Sequence, residues 1–215
     1  MAAQPEDVRT MDKAFEQLLE ADTYAENVSD ALRRHNPMPP GPTLVPVARY
    51  IDHRYHELEK EKLWRRVWQM ACHEDDLPNV GDVVPYDIAD MSFIIVKIAE
   101  REYRAFYNAC LHRGRKLREV RAKQLDELRC PFHGWTWNMD GSLKQVPCAY
   151  DYNGLNRDEE ALPEVQLARW GRFIFINPDP DCQPFEDHVG DLSSQFPLLP
   201  YEKRYKSAHV AKIVR

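Results

Sequence analysis

No apolar run in this sequence is long enough to cross a membrane. The longest, such as FIIV at 93–96 and FIFI at 173–176, are strand-sized, far below the roughly 20 residues that a spanning helix needs. The opening residues MAAQPEDVRTMDKAFEQ carry acids early and have no apolar stretch, so no secretory signal is expected. An excess of basic residues is missing too. A net charge of −6 and a pI near 5.8 speak against a general nucleic-acid or anionic-membrane surface. Cysteine is scarce and odd in number, five in 215 residues. The chain is expected to be cytoplasmic, where thiols stay reduced, so metal binding is a better use for these cysteines than a disulfide framework. What is present is ordinary for a globular protein, 43% hydrophobic, 30% charged and 11% aromatic. The length suits one good core with a smaller appendage.

Three regions follow one another along the chain. Residues 1–35 are expected to form a helical arm, because Val8, Met11, Phe15, Leu18, Val28 and Leu32 fall on one apolar stripe. The stripe falters at Ala21-Asp22, and Thr23 to Glu26 has the form of a capping box, so two helices are expected there. Residues 36–46, NPMPPGPTLVP, hold five prolines and a glycine and read as a linker. A further helix is expected over about 52–69, burying Tyr55, Leu63, Trp64, Val67 and Trp68. His53 and His56 lie three apart on it, and its many Glu, Lys and Arg make a solvated face the better account of them than metal binding. From Gly81 the pattern turns to short strands and tight turns: GDVVPYDI, MSFIIVKIA, YRAFYN, WTWNMDGSLKQV with its Asp-Gly turn, VQLARW and GRFIFIN. With no helices between them, these strands predict an antiparallel sandwich or small barrel.

Two loops carry the chemistry. Residues 110–112 read CLH and residues 130–137 read CPFHGWTW, so that Cys110-x-His112 is followed, after seventeen intervening residues, by Cys130-x-x-His133. Two soft thiolates and two imidazoles suit tetrahedral zinc or an iron–sulfur cluster. Common zinc fingers place both cysteines in one knuckle and both histidines in the other. Here each loop offers one of each, which suits two bridged irons, one taking both thiolates and the other both imidazoles. A single zinc tolerates the arrangement without needing it. Pro131 stiffens the second loop, Gly114 and Gly134 let backbone pass close to a bulky group, and Trp135 and Trp137 supply apolar cover.

CLHRG and CPFHGWTW together resemble the signature of Rieske [2Fe–2S] proteins, in the version found in aromatic-ring-hydroxylating oxygenase large subunits. The blocks WRRVWQMACHEDDLPNVGDVVPYDI, AFYNACLHRG and LPEVQLARWGRFIFINPDP extend the resemblance over roughly residues 45–215. It implies a mainly β fold, an antiparallel Rieske-type sandwich with a two-loop cluster-binding subdomain, preceded by N-terminal helices. It also implies a Rieske domain over 47–200 and, over 201–215, the start of a truncated C-terminal catalytic domain. Cys110 and Cys130 would bind one iron of the [2Fe–2S] cluster, and His112 and His133 the other. High-potential Rieske proteins carry an extra cysteine pair where this chain has Arg115 and Phe132, and a hydroxyl donor where it has Trp135. A potential at the low end of the Rieske range is therefore expected. Cys72, Cys148 and Cys182 read as buried or incidental thiols, His73 and His188 as surface or packing residues, and His35 as a helix-terminal residue.

The family's net reaction is NAD(P)H- and O2-dependent hydroxylation of an aromatic or similarly apolar substrate. It runs at a mononuclear ferrous iron held by two histidines and a carboxylate in the C-terminal domain. This chain offers after its cluster motif only His188 and His209, twenty-one apart. It is accordingly expected to relay electrons and to be inactive as a hydroxylase by itself. The implied partners are a ferredoxin or flavin reductase as electron donor and further copies of the chain in a homo-oligomer, a trimer; no nucleic acid and no membrane partner is expected. The basic stretch 113–129 reads first as a solvated loop, with steering of an acidic donor as the alternative. Two other functions stay open: a stand-alone Rieske electron carrier, and a zinc-stabilised binding module.

Overall fold

The structure is a computed structural model, which describes residues 44–192 and 200–212 together with Gln17, Glu20 and Ala21. Those three residues are helical; the rest of the expected arm over 1–35, with His35, and most of the 36–46 linker lie outside the described residues. The chain divides into two compact units, Met1–His56 with Pro184–Pro200, and Glu57–Gln183 with Tyr201–Arg215. The first contains the short helices α1 (Ala48–Ile51) and α3 (Phe185–Val189) and the start of α2 (His53–Glu59). Among the described residues, no helix is long and apolar enough to cross a membrane.

The second unit is mainly β, as expected. Among the described residues its nine strands are β1 (Gln69–His73), β2 (Val83–Ile88), β3 (Met91–Ala99), β4 (Glu102–Tyr107), β5 (Leu128–Arg129), β6 (Thr136–Trp137), β7 (Leu143–Gln145), β8 (Gln166–Trp170) and β9 (Phe173–Asn177). They form three antiparallel three-stranded sheets, ordered β1-β9-β8, β2-β3-β4 and β5-β6-β7. The middle sheet is covered on both faces. Phe93 and Ile95 of β3 pack with Ile174 and Ile176 of β9 on one side. Ile94 and Val96 pack with Leu128, Trp137 and Leu143 on the other. An antiparallel strand usually alternates apolar and polar residues because one face meets water. Double cover is why MSFIIVKIA is nearly continuous instead. Four fully buried aliphatic or aromatic side chains in one strand are each worth about 1.5–3 kcal/mol of transfer free energy, so β3 anchors both cores.

The helix expected over 52–69 is shorter than its apolar pattern. Regular α-helix ends at Glu59, a π-helical turn covers Lys60–Trp64, and β1 begins at Gln69. The chain breaks off because better partners compete for it. Gln69 Nε2 donates to the Trp64 carbonyl at 2.6 Å, capping the helix end, while Gln69 itself pairs with Ile176 in the sheet. Val67 and Trp68 thus lie in the connection, and Tyr55 and Leu63 are well exposed. His53 and His56 are exposed on α2, consistent with a solvated face.

Candidate metal centre

Both ligand loops spring from the core shared by the second and third sheets. The first, Cys110–Arg115, follows β4; the second, Cys130–Trp135, joins β5 directly to β6. They are built alike. Cys110 N–H donates to the Arg115 carbonyl at 2.8 Å, and Gly114 N–H returns to the Cys110 carbonyl at 2.8 Å. Cys130 N–H donates to the Trp135 carbonyl at 2.8 Å, and Gly134 N–H returns to the Cys130 carbonyl at 3.2 Å. Gly114 and Gly134 have φ of +71° and +76°, a left-handed conformation that a Cβ would strain. The glycine four residues after each cysteine therefore closes the loop, and the histidine is carried on the turn between them.

The four side chains separate by depth. Cys110 and Cys130 are 3% and 2% exposed, embedded in the core with Trp135 and Trp137. Cys130 lies close enough to act on the Cys110 thiol. His112 and His133 sit farther out, with ring centroids 4.7 Å apart and His133 exposed. All five cysteines are free thiols, and Phe132, where a bridging cysteine would stand, is 63% exposed. Among the described residues, no three His, Cys, Asp or Glu side chains close on a single point as the ligands of one ion would. Two sulfurs together at depth and two imidazoles together above them match a two-metal group better than one tetrahedral zinc.

Electrostatics agree with a ligand role. Burial pushes the Cys110 thiol above its usual value, the N–H groups of His112 and Arg113 oppose this, and the adjacent Cys130 adds to the rise. The charge of a bound metal would offset that burial and take Cys110 as the thiolate. Desolvation, followed by the nearby His133 and Arg113, lowers the pKa of His112 and favours its neutral, metal-binding form. His112 Nδ1 is buried and has no hydrogen-bond partner, while its Nε2 faces the Tyr152 hydroxyl at 3.4 Å. Nδ1 is thereby the nitrogen left for a metal. Trp135 stacks on the His112 ring at 5.4 Å with 3° between the planes, shielding that side from water.

Two residues that the motifs do not mark complete the site. Tyr152 reaches His112 from forty residues away. Asn108, 2% exposed, latches the first loop from beneath. Its Oδ1 accepts from Leu117 N–H at 2.9 Å and Arg118 N–H at 3.0 Å, and its Nδ2 donates to the Arg118 carbonyl at 2.6 Å. The basic stretch is also less free than its composition implies. Arg115 pairs with Glu119, Lys116 with Asp87 and Arg121 with Asp76, and the Arg118 guanidinium turns inward to the Leu117 and Arg129 carbonyls. Arg118 is turned inward and Arg121, though half exposed, is held by Asp76; the exposed cations of the stretch without a salt bridge among the described residues are Arg113, Lys123 and Arg129. His73 is a packing residue, capping the turn Glu74–Asp76 and packing edge-on to Phe173. Cys72 is partly buried and Cys148 exposed.

Residues 67–158 match the family model described as Rieske [2Fe-2S] domain. The oxygenase subunit of carnitine monooxygenase from Escherichia coli (strain K12) is 31% identical over 151 residues, covering 70% of this chain and 40% of that protein. The large subunit of anthranilate 1,2-dioxygenase from Acinetobacter baylyi is 31% identical over 152 residues, 70% of this chain and 32% of that one. Among solved structures, naphthalene 1,2-dioxygenase from Rhodococcus sp. bound to indole aligns with a TM-score of 0.64 at 35% identity, covering 72% of this chain and 35% of that chain. The chain therefore carries a Rieske [2Fe–2S] domain, a domain that binds a [2Fe–2S] cluster. Beyond that domain, the chain is similar to the N-terminal portion of Rieske oxygenase large subunits. It spans about 40% of the length of the first of these relatives.

Proposed function

We propose that Cys110 and Cys130 hold the inner iron of the cluster and His112 and His133 the outer one, and that this chain is the electron-relaying part of an oxygenase large subunit. The observation that carries the assignment is the separation by depth, with both thiols in the core and the two imidazoles together farther out, on two matched loops. The cluster supplies reversible one-electron chemistry when bound. Cys110 and Cys130 give up their protons to bind. Trp135 and Trp137 keep water from the buried side. Tyr152 accepts from Nε2–H of His112, so that Nδ1 faces the metal. The outward histidines present the route by which electrons enter and leave.

In this reading residues 47–200 form the relay domain, and 201–215 lead toward a catalytic domain holding a mononuclear iron. A ferredoxin or flavin reductase supplies electrons, and the whole subunit works as a cytoplasmic homo-oligomer, a trimer. Hydroxylation of an aromatic or similarly apolar substrate is supported by the kinship with anthranilate dioxygenase. Equal kinship with carnitine monooxygenase supports a second reading, a charged non-aromatic substrate. Reconstitution with iron and sulfide tests the assignment. A visible spectrum with a Rieske-type paramagnetic resonance signal on reduction is expected, lost in Cys130→Ser. A colourless protein binding one zinc per chain would overturn it. Product analysis with the whole subunit, its reductase and substrates of both kinds separates the two substrate classes.

A further inference from the structure

Arg118 is the one half-buried cation of the 113–129 loop that has no carboxylate within salt-bridge distance among the described residues. Its neighbours Arg115, Lys116 and Arg121 each have one. Arg118 instead donates from Nη1 to the Leu117 carbonyl at 3.0 Å and to the Arg129 carbonyl at 3.3 Å. Its Nε is buried and unpartnered. Leu117 lies on the strand of chain leaving the first ligand loop, and Arg129 immediately precedes Cys130, so the guanidinium ties one loop to the other. Its backbone is fixed by two hydrogen bonds to Asn108, and a third holds the preceding Leu117 N–H. On that fixed backbone the side chain cannot swing into solvent without giving up both carbonyl contacts.

Partial burial of a cation with no counter-anion is costly, and the protein's surplus of acids is not used to offset it here. An anion beneath the two loops would. With both imidazoles neutral, two ferric ions, two sulfides and two thiolates sum to zero charge, and the one-electron-reduced state carries one negative charge. A fixed cation beside Cys130 therefore favours the reduced state over the oxidised one.

We propose that Arg118 is a positioning residue of the cluster site that also raises its reduction potential, offsetting part of the lowering expected from Phe132 and Trp135. This rests on the ligand assignment above. The effect should survive high salt, because the charge is held inside the protein and not screened as a surface charge is.

The test is redox titration of the cluster-loaded full chain and of Arg118→Lys, Arg118→Gln and Arg118→Met, followed by visible absorption and paramagnetic resonance. Loss of the charge in Gln or Met should lower the ratio of reduced to oxidised cluster at fixed potential about tenfold, the scale of one half-buried unit charge. For a one-electron couple that is about 59 mV. The Lys variant should stay within about twofold of the parent, since it keeps the charge. Midpoints unchanged in all three, or lowered equally in all three, overturn the electrostatic role. If Gln and Met retain no cluster, retention by Lys with an unshifted midpoint supports the proposal, and loss from Lys as well overturns it. A parent chain with no Rieske-type spectrum is a different failure: it refutes the ligand assignment itself, and this inference with it.

Discussion

The Tyr152 hydroxyl stands 3.4 Å from Nε2 of His112, edge-on to the ring that Trp135 covers flat. In the proposed ligand arrangement Nδ1 takes the metal, so that Nε2 carries the proton and donates to the tyrosine oxygen. Such a contact orients the ring and makes it a stronger donor, which favours the oxidised cluster. A net hydrogen bond is worth about 0.5–1.5 kcal/mol. Tyr152→Phe should therefore shift the ratio of reduced to oxidised cluster about two- to tenfold toward reduced, the opposite sense from loss of Arg118. Redox titration reads this directly; a shift toward the oxidised form would mean that the hydroxyl donates instead of accepting.

Asn108 is the keystone of the first loop. Asn108→Ala strands the Leu117 and Arg118 N–H groups, the former in a buried residue. Each unsatisfied buried donor costs about 1–3 kcal/mol, so a loss of roughly 2–5 kcal/mol is expected from the two together. Urea unfolding of the loaded and unloaded chain measures it. A loss of cluster binding at unchanged stability would contradict the latch and place Asn108 in a local role only.

The ligand loops were legible in the sequence because each is a short local device: a cysteine, a histidine two or three residues on, and a glycine at the fourth position to close the turn. The strands were legible for a similar reason. Trp170 and Phe173 flank a two-residue turn at Gly171, and Leu143 begins just past the Asp140-Gly141 turn. What escaped depends on distance along the chain. Asn108 meets Arg118 and Tyr152 meets His112 only because sheet packing returns those segments to one place. The helix end at Trp64 was hidden because Val67 and Trp68 continue the apolar period while Gln69 is drawn into pairing with β9. Arg118 looked like one more basic surface residue. Its guanidinium turns in to the Leu117 and Arg129 carbonyls on a backbone that Asn108 holds, and the Arg129 and Asn108 contacts are not local in sequence.

The hairpin β6–β7 depends on a close approach between Gly141 and Phe106. A Cβ at Gly141 would lie 2.5 Å from Phe106 Cε1, and the backbone there has φ of +88°. Phe106 is 1% exposed and packed in the core that holds both cysteines, so it has no room to withdraw. Left-handed strain and overpacking each cost about 1–3 kcal/mol, and Gly141→Ala should destabilise the chain by roughly 2–4 kcal/mol. Thermal unfolding would show it. A change below about 0.5 kcal/mol, the range of a neutral surface substitution, would mean that the hairpin shifts away from Phe106 freely.

Asp76 links the cluster loop to the C-terminal segment, and its protonation sets an acid limit on that link. Its side chain is 4% exposed and receives Arg121 Nη1 at 2.6 Å, Lys206 Nζ at 2.8 Å and His73 N–H at 3.2 Å. Burial works to raise its pKa, but the Lys206 and His73 hydrogen bonds, with the charge of Arg121, outweigh it and hold the carboxyl below the usual carboxylate range. A depressed folded-state pKa contributes stability that is present above the unfolded value, about 3.9, and lost as pH falls through the folded one. The parent chain should accordingly lose stability as pH drops below about 4. Asp76→Asn should be less stable at neutral pH and show a shallower decline over that range, because the group that titrates is gone. Urea midpoints measured from pH 7 down to pH 3 decide this. Parallel pH profiles for the two proteins would mean that Asp76 is not the carboxylate whose protonation releases the segment, and would shift attention to Asp87 and Asp140, whose carboxyls are also held low.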